Sequence, residues 1–203
     1  MPHVIERAPT GRAKCRGCEG KIAAGALRFG EQLPNPYADG ENALMTHWFH
    51  LPCAAYRRPE AFLEGIAATD VAIDDRAALE IDDRAALEID DRAALEIDDR
   101  AALEHEAALG ITHRRLPRVS KAERAPTGRA NCRACKTPIE KDSWRIALVF
   151  YEDGRFVASG FMHAKCVKDY LETTEIAPRL KHFSPDLSDA ELQEVLSVAA
   201  SST

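Results

Sequence analysis

The stretch ERAPTGRAKCRGC at residues 6–18 returns at residues 123–135 as ERAPTGRANCRAC. Each copy ends in Cys-x-x-Cys, and each is answered further along the chain by His-x-x-Cys. The first set is Cys15, Cys18, His50 and Cys53; the second is Cys132, Cys135, His163 and Cys166. A C-x-x-C turn lets two thiolates meet one ion, and H-x-x-C returns two more ligands from a distant element. Three cysteines and one histidine form a common closed, tetrahedral zinc set. Four protein ligands leave no open position for water, which argues against metal-assisted hydrolysis. Two structural Zn²⁺ ions are therefore expected.

Two other uses of six cysteines compete with this one. Three disulfides suit a secreted chain, but the opening MPHVIERAPTGRA lacks the apolar segment of a secretory signal. A lone C-x-x-C suits thiol redox chemistry, yet here both pairs are completed by H-x-x-C and no cysteine is left over. His3, His105, His113 and His182 read as surface residues, and His47, beside Trp48, as a strand residue rather than a ligand.

Outward from the motifs, the chain predicts an α+β protein of two small zinc-stabilised modules joined by a long charged helix. Each module is a short antiparallel sheet with short helices. The expected boundaries are 1–68 for the first module, 69–110 for the spacer, and 111–203 for the second module with a C-terminal helix. Of the 203 residues 45% are hydrophobic, and the net charge of −6 is unevenly spread. Residues 1–66 carry eight Lys/Arg against seven Asp/Glu, residues 67–110 four against fourteen, and residues 111–203 fifteen against twelve. The acidity belongs to the spacer, while residues 111–145 hold ten basic side chains and three acidic ones. No run approaches the roughly 20 apolar residues needed to cross a bilayer, so a soluble intracellular protein (cytoplasm, nucleoid or nucleus) is expected.

The spacer contains IDDRAALE four times without interruption, from Ile73, Ile81, Ile89 and Ile97. Ala, Leu, Glu and Arg favour helix, and Arg76, Glu80, Arg84, Glu88 and their successors alternate in sign at i,i+4 spacing. An eight-residue repeat advances about 80° beyond two full turns, so its Ile/Leu stripe winds round the helix and disfavours a heptad coiled coil. The expectation is a mostly solvated helix over residues 70–109, about 55–60 Å long if unbroken.

Within the second module, WRIALVFY (144–151) and RFVASGF (155–161) flank Glu152-Asp153-Gly154, a strong hairpin signal. The first has RFGEQ, the loop LPNPYADGENAL and MTHWF. Helix candidates follow both His-x-x-Cys motifs, one with Pro59 near its first position. Ser188 to Glu191 spells a capping box, with Leu187 and Leu192 placed for a hydrophobic staple.

Gly-Arg-Ala-x-Cys-x-x-Cys, a following Leu/Trp-Arg strand, an aromatic approach to the histidine and His-x-x-Cys together resemble the zinc fingers of poly(ADP-ribose) polymerases and DNA ligase III. The matching residues are Gly11-Arg12-Ala13, Leu27-Arg28 and Trp48-Phe49-His50, then Gly128-Arg129-Ala130, Trp144-Arg145 and Phe161-Met162-His163. Met162 departs from the usual aromatic. The resemblance implies two tandem fingers covering residues 6–66 and 123–183, which recognise DNA breaks by gripping the sugar-phosphate backbone and stacking on exposed base pairs. It implies phosphate contacts at Arg12, Arg28, Arg129 and Arg145. For stacking it points to Tyr37, Leu44 and Met45 in the first copy and Phe156 and Val157 in the second. Trp48, Phe49 and Phe161 are assigned to the core. The bland reading of the arginines beside the cysteines is that they offset the −1 charge of a zinc–(Cys)₃His set.

No Ser/His/Asp arrangement, phosphate-cradling Gly loop or convergent carboxylate pair stands out, and no transferase domain is expected within these 203 residues. No catalytic activity is expected. A DNA-binding protein that recognises broken or distorted duplex is the leading expectation. A zinc-stabilised adaptor for a protein partner, with the acidic spacer setting a distance, is the alternative.

Overall fold

A computed structural model describes residues 3–35, 43–79 and 97–201, with side chains from 70 to 79 left aside. The chain divides into two compact units, Met1–Ala108 and Leu109–Thr203.

The first unit is built on strands β1 (Val4–Arg7), β2 (Leu27–Pro34) and β3 (Leu44–His50), an antiparallel sheet in the order β1-β2-β3. The repeated ERAPTGRA segment begins in the last two residues of β1, Glu6 and Arg7, and then leads to the first cysteine. The register sets Phe29 opposite Phe49 and Arg28 opposite His50. Helices α1 (Leu51–Arg57) and α2 (Pro59–Leu79) follow the ligand histidine directly. Pro59 starts α2, where its missing N–H costs nothing. Ile22, Phe29, Phe49 and Phe62 are fully buried, each worth about 1.5–3 kcal/mol on transfer from water. Such a small core leaves a clear need for metal.

Helix α2 runs without a break from the first module into the repeat. The described chain resumes at Ile97, and Asp98 and Asp99 form a turn, Asp99 at φ 56°, before α3 (Arg100–Thr112). The expected unbroken helix over 70–109 therefore does not hold at these residues. The same Ile-Asp-Asp is helical at 73–75 and a turn at 97–99; local propensity does not decide its conformation. Residues 80–96 lie outside the described chain. Among the described residues no helix is long and apolar enough to cross a membrane.

The second unit repeats the sheet as β4 (Val119–Arg124), β5 (Trp144–Glu152) and β6 (Arg155–His163), antiparallel in the order β4-β5-β6. The β5–β6 connection is the two-residue turn Asp153-Gly154, with φ 49° and 77°. Both values are positive, as a type I′ turn requires. The core includes Ile139, Ile146, Leu148, Met162, Leu171 and Leu180. Met162 sits fully buried opposite Ile146, the pairing that Phe49 makes with Phe29. Its unbranched thioether fills the place of the expected aromatic.

Past the ligand histidine come α4 (Val167–Leu171), α5 (Ala177–Phe183) and α6 (Asp189–Ala200). Helix α6 opens with the expected capping box: Ser188 Oγ accepts from Glu191 N at 3.3 Å, and Glu191 Oε2 accepts from Ser188 N at 2.9 Å. It packs against α4, α5 and the 3₁₀ turn Ala164–Cys166, burying Val195 and Ala199, with Leu187 and Leu192 packed on the same core. Arg124 holds it from β4, donating to both carboxylate oxygens of Glu194 at 2.6–2.7 Å while lying 4.1 Å over the Trp144 ring.

Candidate metal centres and the basic residues around them

The two Cys/His sets assemble in the same way. A tight turn follows the first cysteine: Glu19 N donates to Cys15 O at 2.8 Å, and Lys136 N to Cys132 O at 3.0 Å. Glu19 and Lys136 close these turns in the left-handed region, at φ 62° and 65°. Strand β3 or β6 then delivers the histidine at its end, and the next turn of helix delivers the fourth ligand. In each set all four ligand atoms lie within 4.8 Å of one another. Cys18 Sγ is 3.4 Å and Cys53 Sγ 3.9 Å from His50 Nδ1; Cys135 and Cys166 lie 3.4 and 3.8 Å from His163 Nδ1. A zinc tetrahedron with ordinary bond lengths has edges of about 3.6 Å from nitrogen to sulfur. The sets fit the ion.

The surrounding groups fit it as well. His50 Nε2 donates to the Lys21 carbonyl at 3.2 Å, and His163 Nε2 to the Pro138 carbonyl at 3.1 Å. Each bond fixes the ring tautomer and leaves the Nδ1 lone pair for metal. The His50 and His163 backbone N–H groups donate to Cys15 and Cys132 sulfur at 3.3 and 3.4 Å.

The ligands also compete for protons. The Cys15 and Cys18 sulfurs push His50 up to about 10. Cys15 drives Cys18 down, while Cys53 is driven up by Cys15 and Cys18. In the second set the Thr137 hydroxyl, 3.1 Å from Cys135 Sγ, lowers that thiol to about 6, whereas burial pushes Cys166 up to about 12. Thiols this close cannot all ionise unaided; a divalent cation resolves the conflict.

The structure separates the arginines expected to touch phosphate into two kinds. Arg12 and Arg129 are exposed, as are Lys14, Arg16 and Arg133. Arg28 and Arg145 are only 7% and 6% exposed. Arg28 donates through Nε and Nη2 to Glu6 Oε1 at 3.1 and 2.5 Å and lies 3.5 Å over the Trp48 ring. Arg145 donates to Glu123 through the same two nitrogens and lies 3.6 Å over Phe161. Trp48 and Phe161, expected in the core, are half-buried beneath these guanidinium groups instead, while Phe49 is fully buried. Sequence reasoning missed Glu6 and Glu123. Both lie in the repeated segment, 22 residues before their arginine in each copy, and that shared separation was the available signal.

Of the expected stacking residues, Tyr37 lies outside the described chain. Leu44 is exposed, and Met45 and Val157 are half-buried. Phe156 is half-buried and paired with Tyr151 at 4.8 Å between ring centroids. Phe150, which the sequence did not single out, is 45% exposed on the same hairpin. Of the remaining histidines, His105 is exposed and His113 and His182 half-buried. His3 is half-buried against Phe29, and His47 is buried in β3.

Residues 6–96 match the family model described as the poly(ADP-ribose) polymerase and DNA-ligase Zn-finger region. The match is a single one and contains the first Cys₃His set, whereas the sequence repeat predicts two copies. A "Poly [ADP-ribose] polymerase" of Sarcophaga peregrina is 25% identical over 212 residues, covering 98% of this chain and 20% of that protein. "Poly [ADP-ribose] polymerase 1" of Caenorhabditis elegans is 38% identical over 53 residues, 26% of this chain and 5% of that protein. A Drosophila melanogaster "Poly [ADP-ribose] polymerase" is 25% identical over 153 residues, 75% of this chain and 14% of that protein. The chain thus spans a fifth or less of the length of these relatives. The two Cys₃His sets are structural zinc sites, and the segment that carries the first is similar to a zinc finger of the poly(ADP-ribose) polymerase type.

Proposed function

We propose that the chain is a non-enzymatic, zinc-dependent DNA-binding protein that recognises breaks, nicks or ends with two fingers of one type. The observation that carries this reading is the exposed arginine three residues ahead of the first ligand cysteine in both copies, Arg12 and Arg129. A guanidinium at that place grips backbone phosphate and reads no base sequence, as recognition of a break requires. Arg28 and Arg145 enter differently. Glu6 and Glu123 each take one N–H from Nε and one from Nη2, so the two Nη1 hydrogens and the second Nη2 hydrogen of each arginine are left for phosphate. Stacking on an exposed base pair falls to Phe156 of the β5–β6 hairpin in the second finger, which shares a face with Tyr151, whereas Phe150 stands on the opposite face. Such a role places the protein where DNA is, in a nucleus or nucleoid.

The test compares the zinc-loaded protein on a nicked duplex and on an intact, end-blocked duplex, with Arg12→Ala/Arg129→Ala as control. Tighter binding to the nick, lost in a variant that still holds two zinc ions, supports the reading. Equal affinity for both duplexes removes break recognition. Absence of binding by folded wild-type protein removes DNA altogether and leaves a protein-binding adaptor.

A further inference from the structure

Beside the second metal set lies a recess of about 570 Å³ lined by Arg115, Arg118, Arg133 and Lys136, together with Asp169 and Tyr170. Cys135 and Cys166 also border it. The lining's four cations, one carboxylate and the −1 of a zinc–(Cys)₃His set leave +2, reduced to +1 when Glu172, 4.0 Å from Arg115, is counted. That positive balance suits a phosphomonoester, which carries about −1.5 to −2 at neutral pH.

The cations are held in place before any ligand arrives. Arg133 Nε donates to the Ser159 carbonyl at 2.8 Å. Its guanidinium crosses Gly160, at φ 100°, where an added Cβ would come within 2.8 Å of Arg133 Nε. Lys136 Nζ donates to the Arg133 carbonyl at 2.7 Å. Arg115 Nη1 donates to the Tyr170 carbonyl at 3.1 Å, with Glu172 at the outer limit of an ion pair, 4.0 Å away. The guanidinium of Arg118 lies 5.6 Å over the Phe150 ring, and among the described residues it has no carboxylate partner. Each bond leaves other N–H groups of the same side chain for an anion. The first module differs at the decisive place: Arg16 corresponds to Arg133, but Glu19 stands where Lys136 does, with the same backbone conformation and the opposite charge.

We propose that this recess is a phosphomonoester site belonging to the second module alone. The dianion comes from a phosphate at a strand end or from free inorganic phosphate, which shares its chemistry. The site itself follows from the recess; only the strand-end source rests on the DNA-binding reading. The zinc-loaded full chain is titrated with a hairpin duplex having one open end, either 5′-phosphorylated or 5′-hydroxyl, and separately with inorganic phosphate. The comparison variant is Arg118→Gln/Lys136→Glu, the second change copying the residue the first module tolerates at that turn. The phosphorylated end should bind about tenfold tighter, the worth of one charge-assisted hydrogen bond. The variant should lose that difference while retaining two zinc ions. Inorganic phosphate that binds wild type but not the variant, with equal affinity for the two ends, assigns the site to free phosphate. Equal affinity for the two ends with no binding of inorganic phosphate overturns the proposal, as does a variant that keeps the tenfold difference. A protein that still prefers a nick in that case retains its DNA-binding function and loses only this site.

Discussion

The two modules offer a paired experiment on buried charge. In the first, Glu31, three residues after Arg28, is 1% exposed and accepts from Arg58 Nε at 2.9 and 3.0 Å and from Nη2 at 2.5 Å. In the second, three residues after Arg145 stands Leu148, and Leu171 stands eight residues after His163 just as Arg58 does after His50. Both leucines are 1% exposed members of one core cluster. One fold thus holds an ion pair in one copy and two leucines in the other. Arg58→Leu alone strands the Glu31 carboxylate in the interior and should cost about 3–5 kcal/mol. The lower end is expected because the Arg58 side chain is 28% exposed. Glu31→Leu/Arg58→Leu together should be neutral or stabilising by about 1–4 kcal/mol, since neither charge is then left unpaired. The assay is urea unfolding of the zinc-loaded chain, followed by Trp48 fluorescence in a Trp144→Phe background. At typical urea slopes the single change lowers the midpoint by roughly 1–3 M. A double variant as unstable as the single one would refute the reasoning and show that the first module needs this pair for its shape.

Two further outcomes follow from the metal sets and from His47. Cys15→Ser or Cys132→Ser should lower the zinc content from two ions to one per chain and unfold the affected unit alone, measured by elemental analysis with amide hydrogen exchange; loss of both ions from either change would count against separate sites. Burial, with Arg16 and Arg58 nearby, depresses His47 below its usual 6.5 against the opposing pull of Glu31. The unfolded chain therefore binds this proton more readily. Stability is whole above about pH 6.5 and falls as the pH drops from there towards the lower folded value. His47→Gln should flatten that part of the profile, read from urea midpoints at saturating zinc. An unchanged slope would show that another group sets it.

What the sequence disclosed was local. The ligand spacings, the Asp153-Gly154 turn and the box at Ser188 each depend on residues a few positions apart, and each appears as expected. The Asp98–Asp99 turn was not legible, because an identical tripeptide is helical in α2 and only its surroundings differ. The burial of Arg28 and Arg145 was hidden for a related reason. An arginine on a strand beside a metal motif looks like a free cation until the sheet register brings Glu6 and Glu123 opposite. Trp48 and Phe161 were misplaced with them, since a ring capped by a guanidinium can stay half-buried on the outer face.

The histidine ring protons rest on the carbonyls of Lys21 and Pro138. Those two residues have nothing chemical in common except a main-chain oxygen. That part of the coordination environment is therefore written in backbone path and not in residue identity. No side-chain substitution can delete it, and it leaves no trace in a column of aligned letters. The two copies carry lysine and proline there and build the same metal geometry. Comparison by residue type alone will undercount what such sites share.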